Sequence, residues 1–141
     1  MSSARHDPFR ILIVDDEPAI RRFASRVLLA QGYDVQEAAD GAEALALVRE
    51  GRCRAHVIVS DVVMPRLSGV ELLQALATSH PHVPILLMSG YAAAQLEGMG
   101  IAAPCGVLAK PFTAERLLEE VQRCLGDGDP MGIPGPTRAS A

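Results

Sequence analysis

Short apolar runs alternate along this chain with longer stretches in which apolar residues return every three or four positions. Ile11-Leu12-Ile13-Val14 is the first run, and Asp15-Asp16-Glu17-Pro18 ends it. This reads as a buried strand, a turn, and a helix with Pro18 in its first turn. Ile20, Phe23, Ala24, Val27 and Leu28 then share one helical face, and Gly32 stops the helix. A second strand is expected over Asp34 to Ala38. Asp40 and Glu43 have capping-box spacing for a helix reaching about Glu50. Val57-Ile58-Val59-Ser60 is the third run and ends at Asp61. Ser68 with Glu71 opens a helix carrying Leu72, Leu73 and Leu76. Pro84 to Met88 forms a fourth strand ending at Ser89-Gly90.

Beyond Gly90 the pattern weakens. Ala92 to Leu96 suits a helix, but Gly98 and Gly100 cut it short. Val107-Leu108-Ala109 is a fifth short strand ending at Lys110-Pro111. Thr113 caps a last helix with Leu117, Val121, Cys124 and Leu125 on one face. Residues 126–141 hold four glycines and three prolines, which reads as a disordered tail. Five strands alternate with five helices. Strands that are apolar throughout, rather than alternating, belong to a parallel sheet covered by helices on both faces. Ligands of such sheets bind beyond the carboxyl ends of the strands.

Those ends carry the chemistry. Strand one ends in Asp15 and Asp16, strand three in Asp61, strand four in Ser89 and strand five in Lys110. Taken singly, each has an ordinary reading: a helix cap, turn chemistry, a solvated surface cation. Their joint arrival at alternate strand ends favours a site. Three carboxylates and one ammonium sum to -3 + 1 = -2, and packed carboxylates resist ionisation. Oxygen ligands without His or Cys suit Mg²⁺ rather than zinc. Carboxylates, a cation, a lysine and a hydroxyl together describe a phosphoryl site. No P-loop is present, so a nucleotide is not the evident phosphate carrier. A carboxylate can itself be the nucleophile and become an aspartyl phosphate. Asp61, alone at its strand end, is the best candidate.

Composition narrows the classes further. The chain has 141 residues, 49% hydrophobic and 21% charged, with a formal net charge of -4. That suits one soluble domain able to bury a core without metal or disulfide. Of 13 basic residues only Lys110 is a lysine, which fits a position wanting a compact ammonium. No basic run marks a nucleic-acid surface, and no apolar stretch is long enough to span a membrane. Met1 to Arg10 lacks an apolar signal core, so a cytoplasmic location is expected. Cys53, Cys105 and Cys124 are odd in number and widely spaced, and are expected as three reduced thiols. His80 and His82 read as a solvated turn. Gly98-Met99-Gly100 mimics a dinucleotide loop without the preceding strand. Asp127-Gly128-Asp129 lacks the rest of a calcium loop.

The motifs Asp15-Asp16, Asp61-Val62-Val63-Met64-Pro65, Ser89-Gly90 and Lys110-Pro111-Phe112, at these spacings, resemble the receiver domain of bacterial two-component response regulators. The resemblance covers roughly residues 9–126, leaving an N-terminal extension over 1–8 and the tail over 127–141. It implies a flavodoxin-like (βα)5 doubly wound fold with a parallel sheet in the order 2-1-3-4-5. It implies that Asp61 takes a phosphoryl group from a histidine kinase or histidine phosphotransfer protein. Asp16, Asp61 and the carbonyl of Val63 would ligate Mg²⁺, with Asp15 acting mainly through water. Ser89 and Lys110 would contact the phosphoryl oxygens, beside Val62, Val63 and Gly90, and the Lys110-Pro111 bond would be cis. Most receivers carry an aromatic residue where this chain has Val107. Tyr91, across the permissive Gly90, is the substitute expected to carry the switch, through a mobile fourth helix. No output domain fits after residue 126, so a partner protein of unknown identity would receive the signal, or the domain comes from a larger kinase or regulator. The rival readings are a small aspartyl-phosphate phosphohydrolase, which wants a second Asp where Val63 stands, and a flavin-binding module, whose phosphate Asp15-Asp16-Glu17 would repel.

Overall fold

The computed structural model describes residues 8–64, 66–91, 93–100 and 105–126. The expected tail over 127–141, and all but Pro8 of the N-terminal extension, lie outside the described residues, as do Pro65 and Ala92. The described residues form β1 (Arg10–Val14), α1 (Pro18–Ala30), β2 (Asp34–Ala38), α2 (Gly41–Arg49), β3 (Val57–Asp61), α3 (Gly69–Ser79), β4 (Ile85–Ser89), α4 (Ala93–Gly98), β5 (Gly106–Ala109) and α5 (Ala114–Leu125). All strand pairs are parallel, in the order β2-β1-β3-β4-β5, as expected from the resemblance.

Each central strand feeds two cores. Leu12, Val14, Ile58, Ile85 and Leu87 point to the face covered by Leu47 of α2, Leu72 and Leu76 of α3, and Leu96 of α4. Ile11, Ile13, Val57, Val59, Leu86 and Met88 point to Ala24 and Leu28 of α1 and Leu117 and Val121 of α5. Burial on both faces is why β1, β3 and β4 read as unbroken apolar runs. The edge strands β2 and β5 are only partly covered; β2 mixes polar and apolar residues accordingly, while β5 is a short apolar stretch.

The caps behave as their sequences indicate. Asp40 accepts the Glu43 N–H, Ser68 and Glu71 close a full capping box, and Thr113 accepts the Arg116 N–H. The fourth helix is short, six residues, and Gly100 follows it at φ 80°. Two readings change. Phe23 does not share the buried face of α1. It is 42% exposed and leans on Phe112, with ring centroids 5.9 Å apart. The apolar stripe of α1 is wider than the strip that meets the sheet. Nor are the three cysteines all free: Cys105 and Cys124 are joined by a disulfide, and only Cys53 remains a buried thiol.

The loop between β3 and α3 is held against the rest of the molecule at close quarters. Gly69 donates its N–H to the Val62 carbonyl at 2.9 Å. A Cβ on Gly69 would collide with the Asp61 carbonyl oxygen and sit 3.0 Å from Val62 Cα. Both obstacles are backbone. Gly69→Ala is therefore expected to displace the end of β3 and lower stability by about 1–3 kcal/mol. Urea unfolding followed by circular dichroism measures this, and a midpoint equal to that of the parent chain would contradict it.

Candidate functional site

Parallel register carries the strand ends to one rim. Asp61 stands beside Met88, and Ser89 beside Ala109. The backbone continues the pairing past the strands: Asp15 N–H reaches Ala38 O at 3.2 Å, Val62 N–H reaches Met88 O at 3.0 Å, and Lys110 N–H reaches Ser89 O at 2.7 Å. Asp15, Asp61, Ser89 and Lys110 thereby come to neighbouring positions, although up to 95 residues separate them in sequence.

The Lys110 ammonium bridges two of the carboxylates. It lies 3.0 Å from Asp15 Oδ2 and 3.2 Å from Asp61 Oδ1. Asp15 is fully buried, and its other oxygen accepts the Glu17 N–H at 2.8 Å. One carboxylate oxygen from each of Asp15, Asp16 and Asp61 lies within 4.8 Å of the others, a grouping able to hold a metal ion. Among the described residues no other group of three or more His, Cys, Asp or Glu side chains meets that condition.

Burial raises the pKa of Asp61 above the ordinary carboxyl value, and the charges of Asp15 and Asp16 add to it against the pull of Lys110. Lys110 is also raised. Burial would lower it, but the carboxylates of Asp15 and Asp61 outweigh that. Uncompensated negative charge therefore defines the pocket. The donor set is hard oxygen only, which fits a divalent cation of the Mg²⁺ type.

The remaining expected residues are placed as follows. Ser89 is buried, and its Oγ accepts the Tyr91 N–H at 2.8 Å. Tyr91 is about half exposed and Val63 is 66% exposed. Val107 packs partly buried against the core on the α2–α4 side. The Lys110-Pro111 bond is cis. Two expectations need correction. Val62 donates its N–H to the sheet, on Met88 O, so that amide anchors the loop rather than facing a phosphoryl oxygen. Gly90 has no positive φ and open space where a Cβ would stand, so its backbone does not demand glycine.

Three contributors were not singled out from sequence. Glu17 Oε1 lies 3.9 Å from Lys110 Nζ. Arg21 Nη1 donates to the Asp15 carbonyl at 2.7 Å while its Nε pairs with Glu37. Arg66, a non-glycine at φ 70°, pairs with Asp40 and ties the β3–α3 loop to the start of α2. Glu17 is the third acid of the Asp15-Asp16-Glu17 run, which was a usable signal. The two arginines depend on long-range contacts that no local pattern announces.

A five-stranded doubly wound sheet with an acidic pocket and a lysine at its carboxyl rim defines a class of small α/β domains whose site lies beyond the strand ends. The sequence profile of the response regulator receiver domain matches residues 11–122, and the chain belongs to that family. It is 39% identical over 120 residues to the sensor kinase CckA of Brucella abortus, spanning 84% of this chain and 13% of that protein. It is 39% identical over 119 residues to the response regulator MprA of a Mycobacterium species, spanning 84% of this chain and 51% of that one. Among solved structures, the Vibrio cholerae chemotaxis protein CheY4 superposes with a TM-score of 0.74 at 38% identity, covering 84% of this chain and all of that one. The chain thus spans about half or less of these two curated relatives. Among the described residues no helix is long and apolar enough to cross a membrane.

Proposed function

We propose that the domain is a phosphorylation-dependent switch in which Asp61 accepts a phosphoryl group from the histidine of a kinase or phosphotransfer protein in the cytoplasm. The carrying observation is a buried Asp61 held 3.2 Å from the Lys110 ammonium and grouped with Asp15 and Asp16. In the transfer, an Asp61 carboxylate oxygen attacks phosphorus. The phosphorus–nitrogen bond of the donor breaks, and the imidazole keeps the electron pair. Asp16, Asp61 and the Val63 carbonyl would hold Mg²⁺, with Asp15 acting through water; both Asp15 oxygens already accept hydrogen bonds. When bound, the cation offsets charge on the phosphoryl oxygens. Lys110 and the Ser89 hydroxyl would contact the same oxygens.

Nothing in this arrangement favours turnover. A phosphohydrolase of the aspartyl-phosphate type needs an acid at position 63, and Val63 supplies none. Incubation with a small acyl phosphate and Mg²⁺, followed by intact mass, tests the reading. One phosphoryl group should be gained and then lost to hydroxylamine. No gain, or continuous release of phosphate without a labelled species, overturns it. The match to a segment of a sensor kinase supports a second reading of the context, a receiver within a larger kinase. The chemistry at Asp61 is the same in both.

Two expectations attach to neighbouring residues. Asp16→Ala removes a direct ligand and a unit of negative charge. Mg²⁺ affinity, measured by calorimetric titration, should fall about tenfold or more, equal to about 1.4 kcal/mol. Unchanged affinity would place the metal elsewhere. The second concerns how the state change leaves the pocket. A Ser89 hydroxyl that turns toward phosphoryl oxygens gives up the hydrogen bond it accepts from the Tyr91 N–H. Val107 is β-branched and too small to fill vacated space as a swinging ring would. The change should therefore be greatest over residues 89–105. Amide exchange with and without a phosphoryl mimic would show it. Tyr91→Ala should keep Asp61 labelling within about twofold yet blunt that exchange response. A response concentrated on α5 instead would count against this route.

A further inference from the structure

We propose that Cys105 and Cys124 form a reversible redox site, oxidised to a disulfide by a hydroperoxide and reopened by a small thiol, at the end of the sheet opposite the carboxylate pocket. Cys105 immediately precedes β5, and Cys124 is the penultimate residue of α5. Their Cα atoms are 5.7 Å apart, in the middle of the span a disulfide bridges without moving backbone. The closed form is the one the structure holds.

Three features make the bond an optional one rather than a staple the fold requires. First, both ends are anchored without it. β5 pairs with β4 from Gly106 to Ala109, and α5 buries Leu117, Val121 and Leu125. A domain of this size builds its core unaided. Second, both residues are only partly buried, and Cys124 lines an open cavity of about 590 Å³, so small oxidants and thiols can reach it. Third, a cation sits beside the pair. Arg123 Nη2 donates to the Cys105 carbonyl at 2.7 Å, and Cys124 Sγ lies 3.9 Å from that same carbonyl oxygen, so the guanidinium is held near the pair, where positive charge favours the thiolate. Glu120 pairs with the same guanidinium. Cys53 lines the same cavity but is 2% exposed, and burial pushes its thiol pKa up. It is the unreactive control within the same molecule.

The chemistry balances with a hydroperoxide as oxidant. One thiolate attacks the outer peroxide oxygen. The oxygen–oxygen bond breaks, an alcohol leaves after taking a proton, and a sulfenic acid remains. The second thiolate attacks that sulfur, the sulfur–oxygen bond breaks, and water leaves. Two thiols give up two electrons and two protons, and the peroxide becomes alcohol and water. Two small thiols reverse the change and become a disulfide themselves. The bond closes a 19-residue separation and pins the last turn of α5 to the start of β5. Lys110 follows the other end of β5, so the clamp acts on α5 and leaves the carboxylate rim in place. The inference stands whether or not Asp61 accepts a phosphoryl group.

The test uses the full chain, reduced and then treated with stoichiometric hydrogen peroxide. After denaturation, alkylation should count three thiols in the reduced protein and one, Cys53, in the oxidised protein. Peptide mapping should join Cys105 to Cys124. Millimolar reduced glutathione, added to the native protein, should restore three. The oxidised form should melt higher by roughly 5–10 °C, as a closed loop of this length implies. Cys105→Ser and Cys124→Ser should each abolish the link while acyl-phosphate labelling of the folded protein is unchanged. Three thiols surviving peroxide, higher sulfur oxides in place of the link, or pairing through Cys53 would overturn the proposal. So would a native disulfide that resists glutathione, which would make the bond permanent.

Discussion

Asp61→Asn should eliminate phosphoryl uptake and, in the same protein, raise the melting temperature of the metal-free state at neutral pH. The amide has nearly the carboxylate's shape but cannot form an acyl phosphate, so labelling should vanish while circular dichroism is unchanged. The stability effect follows from proton linkage. Burial, then the neighbouring Asp15 and Asp16, hold the Asp61 pKa above its unfolded value despite Lys110. The folded state therefore binds the proton more tightly than the unfolded state between those two values. Stability tied to this group is fully present below the unfolded value, about pH 4. It is lost as pH rises through the higher folded value, so at pH 7 the ionised carboxylate is a net cost. Asparagine carries no such penalty. The variant should exceed the parent at pH 7 and converge with it near pH 3. Mg²⁺ should stabilise the parent more than the variant, because binding is linked to folding. Melting curves across this range, with and without the ion, give all three comparisons. Residual labelling would remove Asp61 from its role. A variant less stable than the parent at pH 7 would refute the charge argument separately.

What sequence revealed, and what it did not, follows from the range of each interaction. Ile11 to Val14, Val57 to Ser60 and Ile85 to Met88 announce central strands because burial on both faces leaves no polar alternation to obscure them. The Asp40–Glu43 and Ser68–Glu71 caps are legible because a helix start is satisfied within four residues. Strand ends in a parallel sheet share one rim, so Asp15, Asp61, Ser89 and Lys110 could be assembled before any coordinate. Range also sets the limit. The Asp40–Arg66 pair and the Arg21 contact to Asp15 rest on how loops fold back, and spacing carries none of that. Cys105 and Cys124, 19 residues apart, could not be paired by counting; only the packing of α5 beside β5 sets their Cα distance. Phe23 misled because periodicity defines a stripe, while the sheet covers only part of it. Val62 misled because its place in a motif is silent on where its amide points.

Lys110→Met should produce the largest loss of stability available at a single side chain of the pocket. Methionine keeps the length and apolar stem but removes the charge. Asp15, fully buried, would lose the ammonium 3.0 Å from Oδ2, and Asp61 the one 3.2 Å from Oδ1. Removing one partner of a buried pair strands the other charge, which costs about 3 kcal/mol or more, even where the intact pair contributes little. For a domain of this length that lowers the melting temperature by roughly 10 °C. The sign with pH is settled by the two shifts. The Lys110 pKa is raised above its ordinary value by Asp15 and Asp61, so its contribution is intact at neutral pH and fades only in strong alkali. The deficit of the variant should be full at pH 7. It should shrink toward pH 4, as Asp61, whose pKa burial already raises, takes up its proton. Millimolar Mg²⁺ should recover part of it by supplying positive charge to the same oxygens. Phosphoryl uptake should fall by at least about tenfold, since the transferring group loses its fixed cation. The double variant with Asp61→Asn sharpens the test. Once the ammonium is gone, neutralising Asp61 should stabilise more than it does in the parent, because the two residues are coupled. A melting temperature within about 2 °C of the parent at pH 7, or strict additivity in the double variant, would show that Lys110 does not balance this pocket.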